Sequence, residues 1–147
     1  MVKILFVCHG NICRSPMAEF VMKDLVQKNN VDAYIASCAT SIEEIGNPVH
    51  PGTRRKLSEY GISTNGKYAV QMTKADYNKY DYIIGMDSMN IRNIMRIIGK
   101  DTENKVYKLL HFAGDNSDIA DPWYTGNFDD TYRDVLKGCT ALLDKIK

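Results

Sequence analysis

Apolar residues in this chain fall into short runs of two kinds that alternate along it. Residues 3–7 read Lys-Ile-Leu-Phe-Val, and the unbroken apolar run from Ile4 to Val7 suits a strand covered on both faces. From residue 15 the period changes. Met17, Phe20, Val21 and Leu25 share one helical face, with Ser15 read as the N-cap, Pro16 as the first helical residue and Asn29-Asn30 as the stop. A second strand fits residues 33–38, and a helix fits residues 53–60, closed by Gly61. Residues 82–86 read as a third strand, then a helix over residues 88–98 stopped by Gly99, then a fourth strand over residues 105–110. The last helix is the clearest, with Phe128, Tyr132, Val135, Cys139, Leu142 and Ile146 recurring at helical spacing.

Strand–helix alternation of this kind predicts an α/β fold, a parallel sheet wrapped by helices through right-handed crossovers. Ligands in such folds bind at the carboxyl ends of the strands, near the switch in strand order. Residues 8–15, residues 37–40 and Asp87 all fall at such ends. No internal repeat, low-complexity tract or linker interrupts the pattern, so residues 1–147 read as a single domain.

Composition narrows the picture by exclusion. The apolar and charged fractions, 44% and 25%, are those of an ordinary globular protein, and the formal net charge is only +1. No global field recruits nucleic acid or an anionic membrane, so any anion-binding power is local. The apolar runs are strand-sized and too short to span a bilayer. Met1-Val2-Lys3 leads straight into one of them without the pattern of a signal peptide, so a cytoplasmic protein is expected. The four cysteines are then expected as thiols. Cys38 and Cys139 lie in apolar patterns and read as small core residues. Cys8 and Cys13 lie in a turn containing Gly10 and Asn11, where packing has less use for them.

That turn carries the chemistry. It joins a buried strand to a helix through residues 8–15, and Gly10 and Asn11 tolerate positive φ. Such a loop turns successive backbone N–H groups inward as an anion-binding nest, and the helix that follows adds unpaired N–H donors and the positive end of its dipole. Arg14 supplies a planar donor matched to phosphate oxygens. A cation and a helix N-terminus are also the surroundings that convert a thiol into a thiolate nucleophile, which points to Cys8. The Ser15 hydroxyl is placed to serve that sulfur as well. Other readings have less behind them. A zinc site at Cys8 and Cys13 needs further ligands that no Cys/His pair supplies at suitable spacing. The Gly-Lys-Ser/Thr ending of a nucleotide-binding loop is absent.

The run Phe6-Val7-Cys8-His9-Gly10-Asn11-Ile12-Cys13-Arg14-Ser15-Pro16 resembles the signature of the low-molecular-weight tyrosine phosphatases and lies near the N-terminus as theirs does. The resemblance continues through Gln71-Met72-Thr73, residues 82–87 and Asp121-Pro122. It implies a four-stranded parallel twisted sheet with helices on both faces, the phosphatase I type of fold. It implies hydrolysis of phosphotyrosine proteins and small aryl phosphates through a cysteinyl-phosphate on Cys8, without metal or other cofactor, in a monomer or weak dimer. Arg14 and the loop residues His9, Gly10, Asn11, Ile12, Cys13 and Ser15 would hold the phosphate, and Asp121 would be the general acid and later the base.

A carboxylic acid opposite the nucleophile is a chemical need, since the leaving alkoxide or phenoxide takes a proton. Asp118, Asp129 and Asp130 are near Asp121 in sequence, and the Asp-Pro-aromatic-aromatic match is what selects Asp121. Pro122 restricts Asp121 to extended backbone. Trp123 and Tyr124 read either as an aromatic wall to the site or as core filling. Cys13 reads either as a redox partner that protects Cys8 through a reversible disulfide, or as a packed small residue.

Departures from the family pattern cluster around the rim. Ser37-Cys38-Ala39-Thr40 replaces Ser-Ala-Gly-Thr, Glu43 stands where an aromatic commonly lines the pocket, His50-Pro51-Gly52 replaces Asp-Pro-Arg, and Lys67 aligns with a supporting His. An exposed Glu43 would repel acidic peptides and attract basic ones. Arsenate reductases share the fold and loop but need a downstream cysteine pair, and no cysteine lies between Cys38 and Cys139. Protein arginine phosphatases usually carry Thr where this loop has Ile12, so Ile12 favours a flat aromatic substrate. A non-catalytic phosphopeptide-binding module would keep Arg14 but has no use for Cys8 and Asp121 together.

Overall fold

The computed structural model describes residues 1–147. Strand β1, Val2–Cys8, lies at the centre of the molecule. It pairs in parallel with β2, Ala33–Ala39, on one side and with β3, Tyr82–Gly85, on the other. Strand β4, Val106–Lys108, completes a four-stranded parallel sheet in the order β2-β1-β3-β4. The chain winds from β1 to β2 in one direction and to β3 and β4 in the other. The switch in strand order therefore falls between the carboxyl ends of β1 and β3.

Strand alternation sends successive β1 side chains to opposite faces. Ile4, Phe6 and Cys8 enter a core shared with helices α1, Arg14–Lys28, and α6, Phe128–Ile146. Leu5 and Val7 enter a second core closed by Ile94 and Ile98 of helix α4, Ser88–Ile98. Each large apolar side chain buried this way contributes roughly 1.5–3 kcal/mol of transfer free energy. Helices therefore cover both faces, as the sequence pattern requires. Helix α2, Pro51–Ser58, packs across α1 and α6.

The boundaries of α4 and α6 match the expected ones because their ends carry strong local signals. Asp87 and Asn90 form a reciprocal capping box at the start of α4, and Gly99 ends it at φ +86°. Strands β1, β2 and β3 depart from their expected spans by one residue at one or both ends, and three other expectations differ further. Helix α1 begins at Arg14 with Cys13 as N-cap, so Ser15 is already helical and caps nothing. Its hydroxyl faces the Cys8 sulfur instead, and Pro16 sits in the first turn, where a missing N–H costs no bond. Helix α2 spans residues 51–58 rather than 53–60, because His50 caps it by accepting the Gly52 N–H at 3.0 Å. Strand β4 stops at Lys108 rather than residue 110. Leu109 and Leu110 are consecutive yet enter the same core, which a strand cannot arrange, and Leu109–Ala113 is a 3-10 helix. The short helices α3, Asp76–Lys79, and α5, Pro122–Thr125, are too brief to show a period in sequence.

Helix α6 meets that 3-10 turn through Gly138, where an added Cβ would lie 2.5 Å from Leu109 Cγ and 3.1 Å from its carbonyl oxygen. Gly138→Ala gains about 1 kcal/mol of helix propensity but overpacks a closed contact, which costs about 1–3 kcal/mol. A net loss of stability is expected in urea unfolding, and a gain would show that this contact has slack.

Candidate active site

Cys8, the last residue of β1, opens a loop that ends where α1 begins at Arg14. Asn11 takes φ 60° within it, a left-handed conformation that Asn tolerates well, and this turn brings the Asn11 N–H to the Cys8 sulfur at 3.3 Å. The Ser15 hydroxyl lies 3.0 Å from the same sulfur. A backbone donor and a hydroxyl able to donate thus converge on the sulfur that would act as the nucleophile. The loop is tied to its neighbours by backbone bonds from Thr40 N to Cys8 O, Ser41 N to His9 O and His50 N to Ile12 O.

A buried polar chain stands behind the loop. The Asn11 amide donates to Ser15 Oγ at 2.8 Å and to Ser37 Oγ at 2.9 Å, and its oxygen accepts from Val70 N. Ser37 Oγ donates in turn to Glu19, a carboxylate only 5% exposed. Lys67 Nζ donates to the Ser37 carbonyl at 2.8 Å and lies 3.6 Å from Glu19, while Lys23 pairs with the other Glu19 oxygen. A carboxylate that deep needs such partners, since an unpaired buried charge costs several kcal/mol.

Arg14 is 3% exposed and spans the switch point. Its Nη1 donates to Asp87 Oδ2 at 2.6 Å and to Ile119 O at 2.9 Å, and its Nη2 to Asp121 Oδ2 at 3.4 Å. Burial works against the guanidinium charge, but the Cys8 sulfur and the Asp87 and Asp121 carboxylates outweigh it and raise its pKa. Both Nη1 protons are spent on protein acceptors. That leaves Nε and the second Nη2 proton as the donors Arg14 can offer to an oxyanion.

Asp121 has extended backbone, φ −78° and ψ 115°, and caps the short α5 by accepting the Trp123 N–H. A cavity of about 210 Å³ joins these parts, a volume suited to one phosphorylated side chain. It is lined by Cys8, His9, Gly10, Ile12, Cys13, Arg14, Glu43, Asp121, Trp123 and Tyr124, and by Glu44 as well. Asn11 and Ser15 do not line it. Both are buried behind the loop, where they hold the sulfur. Trp123 and Tyr124 are 57% and 84% exposed, so they stand at the rim and fill no core. Cys13 is buried against Ile12 and Ala69, and burial, with the nearby Cys8 and Asp121, pushes its thiol up to about 12. The sequence had suggested less use for packing there.

Glu43 pairs with His9 at 3.1 Å on the outer rim. Sequence reasoning missed Glu44 beside it, as well as the roles of Glu19, Ser37 and Asp87. Ser37 and Asp87 left a local signal by falling at strand ends, whereas Glu19 and Glu44 left none. No group of three or more His, Cys, Asp or Glu side chains is arranged to hold a metal ion, and no helix is long and apolar enough to cross a membrane.

Comparison with known proteins agrees with this geometry. A family model described as low molecular weight phosphotyrosine protein phosphatase matches residues 3–147. The low molecular weight protein-tyrosine-phosphatase YfkJ of Bacillus subtilis is 40% identical, covering 100% of this chain and 97% of that protein. The crystal structure of a low molecular weight protein tyrosine phosphatase from Streptococcus pyogenes superposes with a TM-score of 0.90 at 44% identity, covering 100% of this chain and 94% of that one. The Drosophila arginine phosphatase structure has a TM-score of 0.91 at 30% identity, covering 99% and 98% of the two chains.

The chain behind the loop makes Lys67 testable. Lys67→Met removes the bond to Ser37 O and one partner of Glu19, while Lys23 keeps the other oxygen paired. A loss of about 1–3 kcal/mol in urea unfolding at neutral pH is expected. An unchanged unfolding midpoint would mean that Lys67 does not support the loop.

Proposed function

The chain belongs to the low molecular weight phosphotyrosine protein phosphatase family, and we propose that it hydrolyses phosphotyrosine in proteins through a cysteinyl-phosphate on Cys8. The observation that carries this reading is the convergence of Cys8, Arg14 and Asp121 on one small cavity.

In the first step the Cys8 sulfur attacks phosphorus in line, and an S–P bond forms as the P–O bond to the phenol breaks. Asp121 gives its proton to the departing oxygen. In the second step Asp121 takes a proton from water, whose oxygen displaces the sulfur and releases inorganic phosphate. The unspent N–H donors of Arg14 and the loop N–H groups stay with the phosphoryl oxygens throughout, and most catalysis in phosphoryl transfer lies there. Charge is thereby offset by the chain's own donors, so the reaction as read here uses no metal or cofactor. Free thiols at all four cysteines fit a reducing compartment, which supports a cytoplasmic enzyme; recovery in a secreted fraction would contradict it.

Ile12, Trp123 and Tyr124 around the cavity favour a flat aromatic group over a guanidinium. Glu43 and Glu44 give the mouth an acidic side, favouring phosphotyrosine flanked by basic residues. Cys13 belongs to the same reading as a redox partner. If peroxide takes Cys8 to the sulfenic acid, condensation with the Cys13 thiol releases water and leaves a disulfide.

The deciding assay pairs phosphotyrosine and phosphoarginine peptides, each with basic or acidic flanks. Phosphotyrosine with basic flanks should be the best substrate. Cys8→Ser should abolish turnover and Asp121→Ala should lower it about 10²–10⁴-fold. Activity surviving Cys8→Ser would sink the mechanism, and faster phosphoarginine turnover would sink the substrate. Separately, non-reducing mass mapping after mild peroxide should find Cys8 joined to Cys13; Cys8 sulfonic acid beside a free Cys13 thiol would refute that role.

A further inference from the structure

Asp121 can protonate a leaving oxygen only if its segment is held still, yet residues 114–121 contain no regular structure. Two bonds hold Ile119, its N–H on Met86 O at 2.9 Å and its carbonyl accepting from Arg14. The residue before it carries the larger set. Asp118 Oδ1 accepts from Ser88 N at 3.0 Å, Ser88 Oγ at 3.2 Å and Lys108 Nζ at 3.0 Å. Lys108 Nζ also donates to the Asn116 carbonyl at 2.6 Å. Lys108 ends β4, and Ser88 begins α4 directly after Asp87, which grips Arg14. Neighbouring residues after β3 thus fasten the phosphate-binding cation and the acid-bearing segment.

We propose that Asp118 is a positioning residue for the proton donor: its carboxylate clasps the segment carrying Asp121 to the ends of β3 and β4 and so sets where the acid meets the leaving oxygen. Desolvation alone would raise the Asp118 pKa, but the bonds and charge of Lys108 and the bonds from Ser88 outweigh it and hold the carboxyl below its ordinary range. It therefore remains charged through the neutral range in which the clasp must work.

The clasp rests on Asp121 being the general acid, and its consequence is selective. A displaced acid matters most when the leaving phenoxide is strongly basic, and hardly at all when the phenoxide leaves readily without a proton. A surface pair with no such role would leave that contrast untouched.

The experiment measures kcat/KM for phenyl phosphate and 2,4-dinitrophenyl phosphate with the wild type, Asp118→Ala, Lys108→Met and Asp121→Ala. Circular dichroism checks that each variant is folded. Asp118→Ala and Lys108→Met should each lose about three- to tenfold on phenyl phosphate while changing less than about twofold on the dinitrophenyl ester. Asp121→Ala should show the same contrast more strongly. Equal losses on both esters, or no loss on either, would overturn the proposal if Asp121→Ala still discriminates. If Asp121→Ala does not discriminate, the acid assignment itself falls, and the clasp falls with it. If Asp118→Ala does not fold, Lys108→Met decides, because it opens the same clasp from β4.

Discussion

Arg14 is a cation buried to 3% exposure, and the rest of the site is arranged around satisfying it. A guanidinium at that depth without partners would cost several kcal/mol. Its partners are far away in sequence: Asp87 is 73 residues on, and Asp121 is 107 residues on. One side chain therefore draws together the loop after β1, the end of β3 and the segment before α5. The site cannot assemble locally. It exists once the strands have paired in the order that sets β1 beside β3, and the same pairing buries Arg14. Its charge then has a fixed direction, with Nη1 committed to Asp87 and the Ile119 carbonyl and Nη2 turned toward Asp121 beside the cavity.

What was legible in the sequence follows from this division between local and distant contacts. The loop from Cys8 to Ser15 could be read because its nucleophile, left-handed Asn11 and Arg14 are consecutive, so chemistry and geometry share one stretch of chain. Strand β1 and helices α4 and α6 could be read because burial imposes a period, and Asp87 and Gly99 mark the ends of α4. Ser15 was misassigned for a physical reason. A serine before a proline has the form of a cap, but its hydroxyl is claimed by the Cys8 sulfur and the Asn11 amide. Strand β4 was read too long because Leu109 and Leu110 look strand-like until the core shows that both turn the same way. Glu19, Ser37 and Lys67 could not be joined at all, since each has meaning only through partners on other elements.

The buried chain from Lys67 to Cys8 shows how a departure from the family pattern can be absorbed. Lys67 brings a full charge where the family often has an imidazole, and Glu19 is the anion that meets it. Ser37 sits between this ion pair and Asn11, so the charge remains one residue removed from the loop. Asn11 spends both amide protons and its oxygen on fixed partners, which leaves its φ of 60° no freedom to relax. The loop thereby holds the Asn11 N–H on the Cys8 sulfur before any substrate arrives, and such preorganisation is what electrostatic stabilisation of phosphoryl transfer requires.

The departures at residues 50–52 form a packed unit of the same kind. An added Cβ on Gly52 would lie 2.3 Å from the Phe128 ring, so the ring can pack there only because residue 52 is glycine. The His50 ring stacks on Phe128 at 5.3 Å and meets Trp123 edge-on at 5.7 Å. Its backbone N–H meanwhile donates to Ile12 O in the phosphate loop. One histidine therefore links the loop floor, the start of α6 and the aromatic rim. Trp123 is more than half exposed, yet one side of it meets an imidazole that caps α2 and stacks on Phe128 of α6. Substitutions at residues 50 and 52 that look like losses of charged rim chemistry are better understood as one repacking. It places a stacked aromatic support behind the wall that a phosphotyrosine ring would meet.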